Sequence, residues 1–309
     1  MTRQGLMQKY QSGTYVTLFV IVWLATACHA LAQNRHNQPD TLQGVSVYGE
    51  PVERAIRLDY GLNIGAYIAD RSTANYYNGS GQYTGVGNQG TLERIIGSSN
   101  ERNYTRIRQV IGYDYEIDGL PTAMRYNPAM MVGLFATLHL GQRMAVIVES
   151  NFVSLKTQDQ FTIKLARHSD IEGDNIERHA ISGTEERIDI RIGLKYTFVS
   201  EKSYIHPFVE TGFVATDTKA KSNTARIGNS TYNIYFSGTS QYVPERDFGM
   251  GIGAYATLGV AMNVSDNFSF DIGFSSHYNK INLGNHDDFG LQHSLFVRLN
   301  LNELLNRPE

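Results

Sequence analysis

The feature that most constrains this chain is a strict alternation of apolar with polar or small residues that begins at Ile56. Every second residue from Ile56 to Ile68 is apolar, and those between, from Arg57 to Tyr67, are charged, polar, glycine or tyrosine. Because successive side chains of a β-strand point to opposite faces, this period of two predicts a strand with one apolar face. The stretch also exceeds the about 9–11 residues that a strand needs to cross a membrane.

Seven further segments follow the same pattern. Their alternating apolar residues begin at Met130, Val146, Ile188, Ile205, Phe248, Phe268 and Phe289. The segment from Val146 is less regular, because Ile147 and Val153 interrupt its alternation. Eight amphipathic strands are the number that closes the smallest transmembrane barrels. We therefore predict an all-β fold, a transmembrane antiparallel up-and-down β-barrel of eight strands.

The connections between these segments fall into two classes of length. Three are short and turn-like, at residues 141–142, 200–203 and 265–267. Four are long and polar, at residues 70–128, 156–185, 217–246 and 279–288. Short and long connections alternate strictly, as the periplasmic turns and extracellular loops of outer-membrane barrels do. This order predicts long extracellular loops, and the even number of strands places both barrel ends in the periplasm.

The first residues have the three parts of a secretory signal. Arg3 and Lys9 form a basic start, residues 18–27 form an apolar core, and residues 30–32 read Ala-Leu-Ala, a cleavage pattern. An uncleaved anchor is the alternative, but the apolar core falls short of the about 20 residues that span a bilayer. We predict that residues 1–32 are removed, which takes away two basic residues and changes the net charge from −3 to −5.

The only cysteine, Cys28, lies inside this predicted signal. It is lost with the signal, or, since residues 26–28 partly resemble a lipoprotein acceptor site, it is lipidated; Ala25 weakens that match. The rest of the chain divides into a periplasmic lead-in at 33–54, the barrel at 55–301 and a periplasmic tail at 302–309. This organisation predicts a location in the outer membrane of a Gram-negative cell envelope, and the acidic mature chain argues against nucleic-acid binding.

Residues 55–301 resemble the OmpA-like family of small outer-membrane barrels, in strand pattern and in loop alternation. The stretches 125–130 (Arg-Tyr-Asn-Pro-Ala-Met) and 78–80 (Asn-Gly-Ser) are similar to a widespread, poorly characterised class of such barrels. The resemblance implies no defined activity. It implies contact with outer-membrane lipid and lipopolysaccharide, and insertion by the barrel-assembly machinery. One departure is that the last strand ends near Leu301, whereas such barrels usually end on an aromatic residue.

The polar faces of the strands carry charges of both signs that should point into the lumen. These candidate lumen residues are Arg57, Asp59, Glu149, Asp189, Arg191, Lys195, Glu210, Asp271 and Arg298. The lumen of an eight-stranded barrel is just wide enough for side chains to fill, and charges there need partners. A salt-bridged, filled interior is one interpretation, and a narrow ion path lined by these charges is the other.

The first long loop carries the candidate interaction residues. Tyr76, Tyr77 and Tyr83 lie in a Gly/Asn/Tyr-rich part that suits either stacking on sugars or a hydrated flexible tip. Further on, Tyr104 and Ile107 stand at helical spacing with Val110 and Ile111, and Asn103 is a suitable N-cap. We predict a short amphipathic helix that covers the barrel mouth or touches the membrane surface. A protein or glycan partner at these loops is possible in either arrangement.

We expect a non-enzymatic barrel that serves envelope integrity, adhesion or partner binding through its surface loops. The alternatives are an accessory barrel of a secretion or nutrient-uptake complex, a narrow pore, and a lipid-modifying enzyme. For uptake, residues 40–47 resemble the TonB-contact segment of much larger plugged receptors. For an enzyme, the nearest grouping comprises Ser275, Ser276, His277, Asp287 and Asp288. The histidines are scattered singly, so we expect no metal site and no cofactor.

Overall fold

The computed structural model describes the barrel and two short segments before it. The described residues are 43–45, 51–53, 57–81, 91–167, 175–199, 204–234, 248–265, 268–283 and 286–301. The predicted signal, most of the lead-in, Tyr83, the turn at 200–203 and the tail lie outside them. The chain divides into two compact units, Met1–Ile56 and Arg57–Glu309. In the first unit, β1 (Gln43–Val45) pairs antiparallel with β2 (Pro51–Glu53).

The second unit contains a ring of eight antiparallel strands. They are β3 (Arg57–Ile68), β5 (Ala129–His139), β6 (Met144–Leu165), β7 (Ile176–Thr197), β8 (Ile205–Ile227), β10 (Phe248–Ser265), β11 (Phe268–Lys280) and β12 (Phe289–Leu301). Each pairs with the next in chain order, and β12 pairs back with β3, with Leu301 opposite Tyr60. The ring therefore closes, and the predicted eight-stranded up-and-down barrel is confirmed.

Along each strand of this ring, alternate side chains lie on opposite faces. The outward residues are apolar and exposed, as at Met130 and Leu258, each 66% exposed, because lipid rather than protein covers them. The inward residues are buried and mostly polar. Ile147 and Val153, which interrupt the sequence alternation, both point inward, and Val153 packs in an interior apolar cluster with Met131 and other residues.

Two of the predicted long loops are in large part strand, which corrects the sequence interpretation. β6 continues to Leu165 and β7 begins at Ile176, so the predicted loop at 156–185 shrinks to residues 166–175. β8 continues to Ile227 and turns into β9 (Ser230–Asn233), inside the predicted loop at 217–246. Beyond the membrane the outward positions are mostly polar, with Ile176 as an apolar exception, so the apolar stripe ends although the period of two persists. For this reason the sequence of the upper parts of these strands resembles that of a polar loop.

The first long loop folds into short elements over the barrel mouth. A 3₁₀ helix spans Ser72–Tyr77, α1 spans Leu92–Ile96, α2 spans Glu101–Ile111, and β4 (Tyr115–Gly119) pairs with β6 above the membrane. Thus the predicted helix is confirmed. Its predicted N-cap was wrong, because the side chain of Asn100, not of Asn103, accepts the backbone N–H at Asn103 at 3.2 Å.

These elements enclose an apolar core above the membrane, which we call the head core. It joins the 3₁₀ helix, α1 and α2 to the inward faces of the extended strands. Its members include Tyr77, Leu92, Ile96, Ile107, Tyr115, Phe161, Ile163, Ile181, Ala225, Ile227 and Tyr232. We call this core and the elements around it the head. No helix in the described part of the chain is long and apolar enough to cross a membrane.

Candidate functional site

The centre of the lumen is built around the guanidinium of Arg298. Its Nη1 donates to Glu210 Oε1 at 2.6 Å, and its Nη2 donates to Glu210 Oε2 at 3.0 Å and to Glu149 Oε2 at 2.7 Å. The group lies over the Phe296 ring, 4.4 Å from its centroid. These contacts link β12, β8 and β6 across the interior. Charges out of reach of water need such bidentate and multiple hydrogen bonds to offset desolvation.

A second group of contacts lies above this centre. Arg191 is 3.6 Å from Asp189 and 3.9 Å from Glu149, and its Nη2 is 2.9 Å from His277 Nε2. Thr216 Oγ1 donates to Asp189 Oδ1 at 2.7 Å. All five residues are buried. Together they continue the charged layer toward the extracellular end.

Toward the periplasm the lumen contains two smaller pairs. Lys195 binds Asp271 and lies over the Phe208 ring, 4.2 Å from its centroid. His139 Nε2 lies 2.8 Å from Asp59 Oδ2. Buried polar side chains from several of the described strands therefore contact one another across the interior.

The structure brings together eight of the nine candidate lumen residues, all on the inward face. The side chain of the ninth, Arg57, lies outside what the structure describes. Sequence reasoning did not list the buried partners Glu185, Arg187 and His277 among the lumen residues. They could have been predicted from the alternation of inward and outward residues along each strand, because all three occupy inward positions of their strands.

The barrel mouth is sealed by the 3₁₀ helix, held by one buried ion pair. Arg187 Nε donates to Glu185 Oε1 at 2.6 Å, its Nη2 to Thr73 Oγ1 at 2.9 Å, and its Nη1 to Gln292 Oε1 at 3.1 Å. The hydroxyl of Tyr77 donates to Glu185 Oε2 at 3.2 Å. These bonds connect the inserted segment to β7 and to β12. We call this arrangement the mouth seal.

Of the interaction residues predicted in the first loop, Tyr76, Tyr77 and Ile107 are buried inside the head and Tyr104 is half-buried against it. This corrects the interpretation of Tyr76 and Tyr77. Tyr76 and Tyr77 are 2% and 0% exposed, so neither forms a hydrated tip or a platform for sugars. They are buried because the loop folds back into the mouth. Tyr104 stacks on Tyr115 with ring centroids 4.7 Å apart, and Ile107, on the inner side of α2, is fully buried.

Comparisons with known proteins describe the fold only. No protein-family model and no curated protein sequence matches the chain. The solved structures similar to this chain include three proteins, each at 10% sequence identity. Neisserial surface protein A has a TM-score of 0.38, with 79% of this chain and 97% of that chain covered. The outer membrane protein OprG from Pseudomonas aeruginosa has a TM-score of 0.36, covering 81% and 99%. Ail, the attachment invasion locus protein of Yersinia pestis, solved with the heparin analogue sucrose octasulfate, has a TM-score of 0.34, covering 79% and 98%.

The assignment of the chain rests on its own geometry. A closed antiparallel ring of eight strands, with an apolar band outside and a polar interior, is the construction of an outer-membrane β-barrel. Such a band has to be covered by hydrocarbon. The chain is therefore an outer-membrane barrel.

The residues considered for catalysis are dispersed by the fold. Ser276 faces outward, where its Oγ lies 2.9 Å from Nδ1 of His293. Ser275 and His277 face the lumen, where they contact Thr257 and Arg191. Asp287 binds Lys280 at 2.8 Å. Within the described residues these groups form no nucleophile, base and carboxylate set, and no cluster there suits a metal ion.

Two titratable side chains of the head, outside the membrane, have shifted pKa values. Burial raises the pKa of the Tyr115 phenol well above its ordinary value, and its hydroxyl donates to the backbone oxygen of Ile96. Burial lowers the pKa of His179, whose ring packs beside Phe161 on the inner side of β7, and the nearby Glu177 carboxylate offsets this in part. His179 is therefore mainly neutral near pH 7 and resists protonation on acidification.

Proposed function

We propose that this chain is a closed outer-membrane barrel of the OmpA-like kind that acts by binding. Its extracellular head then serves envelope integrity, adhesion or partner recruitment, without catalytic chemistry. The observation that carries the proposal is the mouth seal: Arg187 and Glu185 hold the 3₁₀ helix inside the barrel end. A barrel closed in this way offers its surroundings the outer surface of the head.

The construction of the head supports this proposal. The strands β6, β7 and β8 are 22, 22 and 23 residues long, about twice the length that the membrane requires. The additional residues form a wall against which α1, α2 and β4 pack. An ordered head of this kind holds its surface residues in fixed positions, which lowers the entropy lost when a partner binds.

The test separates the head from the barrel. A deletion strain is complemented with the full chain, with a variant in which a short Gly-Ser linker replaces residues 91–114, and with a control carrying the same linker inserted between Gly141 and Gln142. Heat-dependent mobility on gels shows that each barrel is folded. We call the variant that lacks residues 91–114 the headless variant. We expect the full chain and the control to restore detergent resistance and adhesion, and the headless variant to fail to restore them. Full restoration by the folded headless barrel would overturn the proposal.

An accessory role in a larger complex is the second candidate, and one surface favours it. A groove of about 420 Å³ lies across the outward faces of β7, β8 and β10. Its apolar lining includes Leu194, Val209 and Leu258. A concave apolar surface in the membrane suits a transmembrane partner. Purification of the chain in mild detergent distinguishes the two candidate functions. A large partner that co-purifies in stoichiometric amount supports the accessory role, and the absence of such a partner supports a function through the head.

A further inference from the structure

The solvent-facing side of α2 carries two separate stripes of residues. On a helix, residues three, four and seven positions apart lie on the same side. One stripe comprises Glu101, Thr105 and Arg108, and the Nη1 atom of Arg108 lies 3.2 Å from Asp114 Oδ1. The other stripe comprises Arg102, Arg106 and Gln109, with Val110 beside it. We call this second set of four residues the arginine face.

The two arginines of this face have no acidic partner. Both side chains are exposed, and neither forms an ion pair with any residue in the described part of the chain. The basic side chain of the other stripe differs, because Arg108 is already paired with Asp114. Two positive charges one helical turn apart are therefore available on a single side of α2.

The position of these two arginines weakens the helix that carries them. Like charges four residues apart on a helix repel each other. Arg102 also lies in the first turn, where the positive end of the helix dipole disfavours a cation. Residues that oppose their local structure are expected at functional sites. A ligand that brings negative charge to this side of α2 would remove both unfavourable interactions.

A third guanidinium adjoins the arginine face from the turn between β8 and β9. Val110 contacts this turn, since a Cβ atom added at Gly228 would lie 3.4 Å from its Cγ1. Arg226 is exposed, and its Nε donates to the backbone oxygen of Gly228 at 3.3 Å. No ion pair joins Arg226 to another described residue. Basic groups of α2 and of β8 thus border the exposed side chain of Val110.

This surface stands well above the lipid headgroups. The apolar outward stripe of β8 ends at Ala215, and Arg226 follows about 35 Å further along the same strand. With the usual tilt of barrel strands, this distance corresponds to a height of about 25 Å. The headgroup layer on one side of a bilayer is only about 5–8 Å thick. The surface therefore faces the surroundings of the cell, not a lipid headgroup.

We infer that the arginine face, together with Arg226, binds an acidic segment of a partner protein outside the cell. The inference rests on the proposed function, in which the head lies outside and acts by binding. Carboxylates of the partner accept hydrogen bonds from the guanidinium groups, whose planar fork matches a carboxylate. An apolar side chain of the partner covers Val110.

The exposed apolar groups favour a protein over an anionic polysaccharide. Val110 is 59% exposed, and Tyr113, just beyond the C-terminal end of α2, is 45% exposed. Protein interfaces combine an apolar centre with a polar rim, and they are enriched in arginine and tyrosine. A sulfated or carboxylated sugar chain has charge for the arginines but no aliphatic side chain for Val110.

The experiment measures peptide binding to the folded full chain in detergent by fluorescence anisotropy. The probes are a labelled peptide with a repeating Glu-Glu-Leu-Tyr sequence, its Gln-Gln-Leu-Tyr and Glu-Glu-Ser-Ser counterparts, and heparin. The test variant is R102Q/R106Q. The control, R125Q/R143Q, also removes two exposed positive charges, one near the barrel mouth and one in a periplasmic turn.

We expect the acidic apolar peptide to bind the unmodified chain and the control equally. The test variant should bind it roughly tenfold more weakly, as the loss of two charge-assisted contacts implies. The Gln-Gln-Leu-Tyr and Glu-Glu-Ser-Ser peptides should both bind the unmodified chain more weakly than the acidic apolar peptide does. Limited proteolysis of the head should be the same in the test variant and in the unmodified chain, because Arg102 and Arg106 do not hold the head together.

Each other outcome counts against the inference. No binding of the acidic apolar peptide, or equal binding by the R102Q/R106Q variant, would show that the arginine face does not bind carboxylates. Equal binding of the Gln-Gln-Leu-Tyr peptide would remove charge from the recognition, and equal binding of the Glu-Glu-Ser-Ser peptide would remove Val110. Tighter binding of heparin than of any peptide would indicate a polysaccharide ligand instead of a protein.

The complementation test of the proposed function fails independently of this one. If the headless variant restores the deletion strain while the purified full chain binds the acidic apolar peptide, only the proposed function is overturned. If the headless variant does not restore the strain and the full chain binds no acidic peptide, only the inference about the arginine face is overturned.

Discussion

At the scale of single residues, Arg298 shows how this barrel stabilises a charged interior. Three hydrogen bonds to Glu149 and Glu210 and two aromatic rings surround one guanidinium. The two carboxylates come from β6 and β8, which are distant in sequence from Arg298 on β12. Such a residue is structurally demanding, because removing it leaves the buried Glu210 without its cation and Glu149 with only Arg191, 3.9 Å away.

Substitution of Arg298 by Met should therefore destabilise the barrel strongly. We expect a loss of about 3–5 kcal/mol in the free energy of unfolding, the usual effect of leaving a buried charge unpaired. Urea unfolding in lipid vesicles, followed by circular dichroism and gel mobility, measures it. The triple variant R298M/E149Q/E210Q should recover much of the loss, since it leaves no unpaired charge. A triple variant less stable than R298M would contradict this reading of the network.

The mouth seal is tested by Thr73, whose hydroxyl oxygen accepts a bond from Arg187 at 2.9 Å. The shape-matched variant Thr73→Val removes the acceptor and should lower the local opening free energy of the 3₁₀ helix by about 1–3 kcal/mol. Hydrogen exchange at the amide of Ala74, which donates to Arg71, reports the opening. Ser72→Ala, at the start of the same helix, is the control. Equal exchange in the two variants would mean that Arg187 does not hold the helix.

A pH dependence of the head follows from His179. Burial lowers its pKa in the folded state, so the unfolded chain binds the proton more readily. The head should therefore keep full stability above the ordinary histidine pKa of about 6.5, and should lose stability as the pH falls below it. Limited proteolysis of the head between pH 7 and pH 5 measures this. His179→Gln should flatten the profile, and an unchanged profile would show that another group governs it.

At the scale of elements, the inner side of β7 is shaped to receive the 3₁₀ helix. A Cβ atom at Gly183 would overlap the ring of Tyr77, so only glycine leaves room for that side chain. The close approach, rather than the backbone conformation, requires the glycine. β7 thus contributes both the ion pair and the space of the mouth seal.

Gly183→Ala should displace Tyr77 and cost about 1–3 kcal/mol, as overpacking usually does. Gly141→Ala is the matched control, because a Cβ atom there meets nothing within 4 Å. Thermal unfolding and exchange at Tyr77 should both distinguish the variants. If Gly183→Ala is as stable as Gly141→Ala, the ring of Tyr77 does not pack on β7 as described.

The same scale shows how far the sequence predicts the fold. The membrane part was predictable, since lipid outside and a polar interior impose the period of two that Ile56–Ile68 displays. The upper halves of β6 and β7 were not, because water on one side and the head core on the other remove the apolar stripe. The burial of Tyr77 was also not predictable from the sequence, since it depends on Glu185 and Gly183, which are more than a hundred residues away.

At the scale of the whole molecule, charge is distributed by layer. The lumen holds paired charges of both signs, the outer band is apolar, and the outward faces of β6, β7 and β8 above it are mostly polar with an excess of basic residues. The candidate lumen residues were predictable from the alternation of inward and outward positions, but which of them pair was not, because pairing across the barrel depends on which strands face one another. The head core likewise joins segments that are distant in sequence.

A closed molecule is the central claim, and conductance tests it most directly. The folded full chain is inserted into planar lipid bilayers and the current is recorded across a range of voltages. Because side chains occupy the lumen and the 3₁₀ helix seals the mouth, we predict no stable open level in the unmodified chain. A stable open level of appreciable size would contradict the claim and would favour a pore lined by the charges around Arg298.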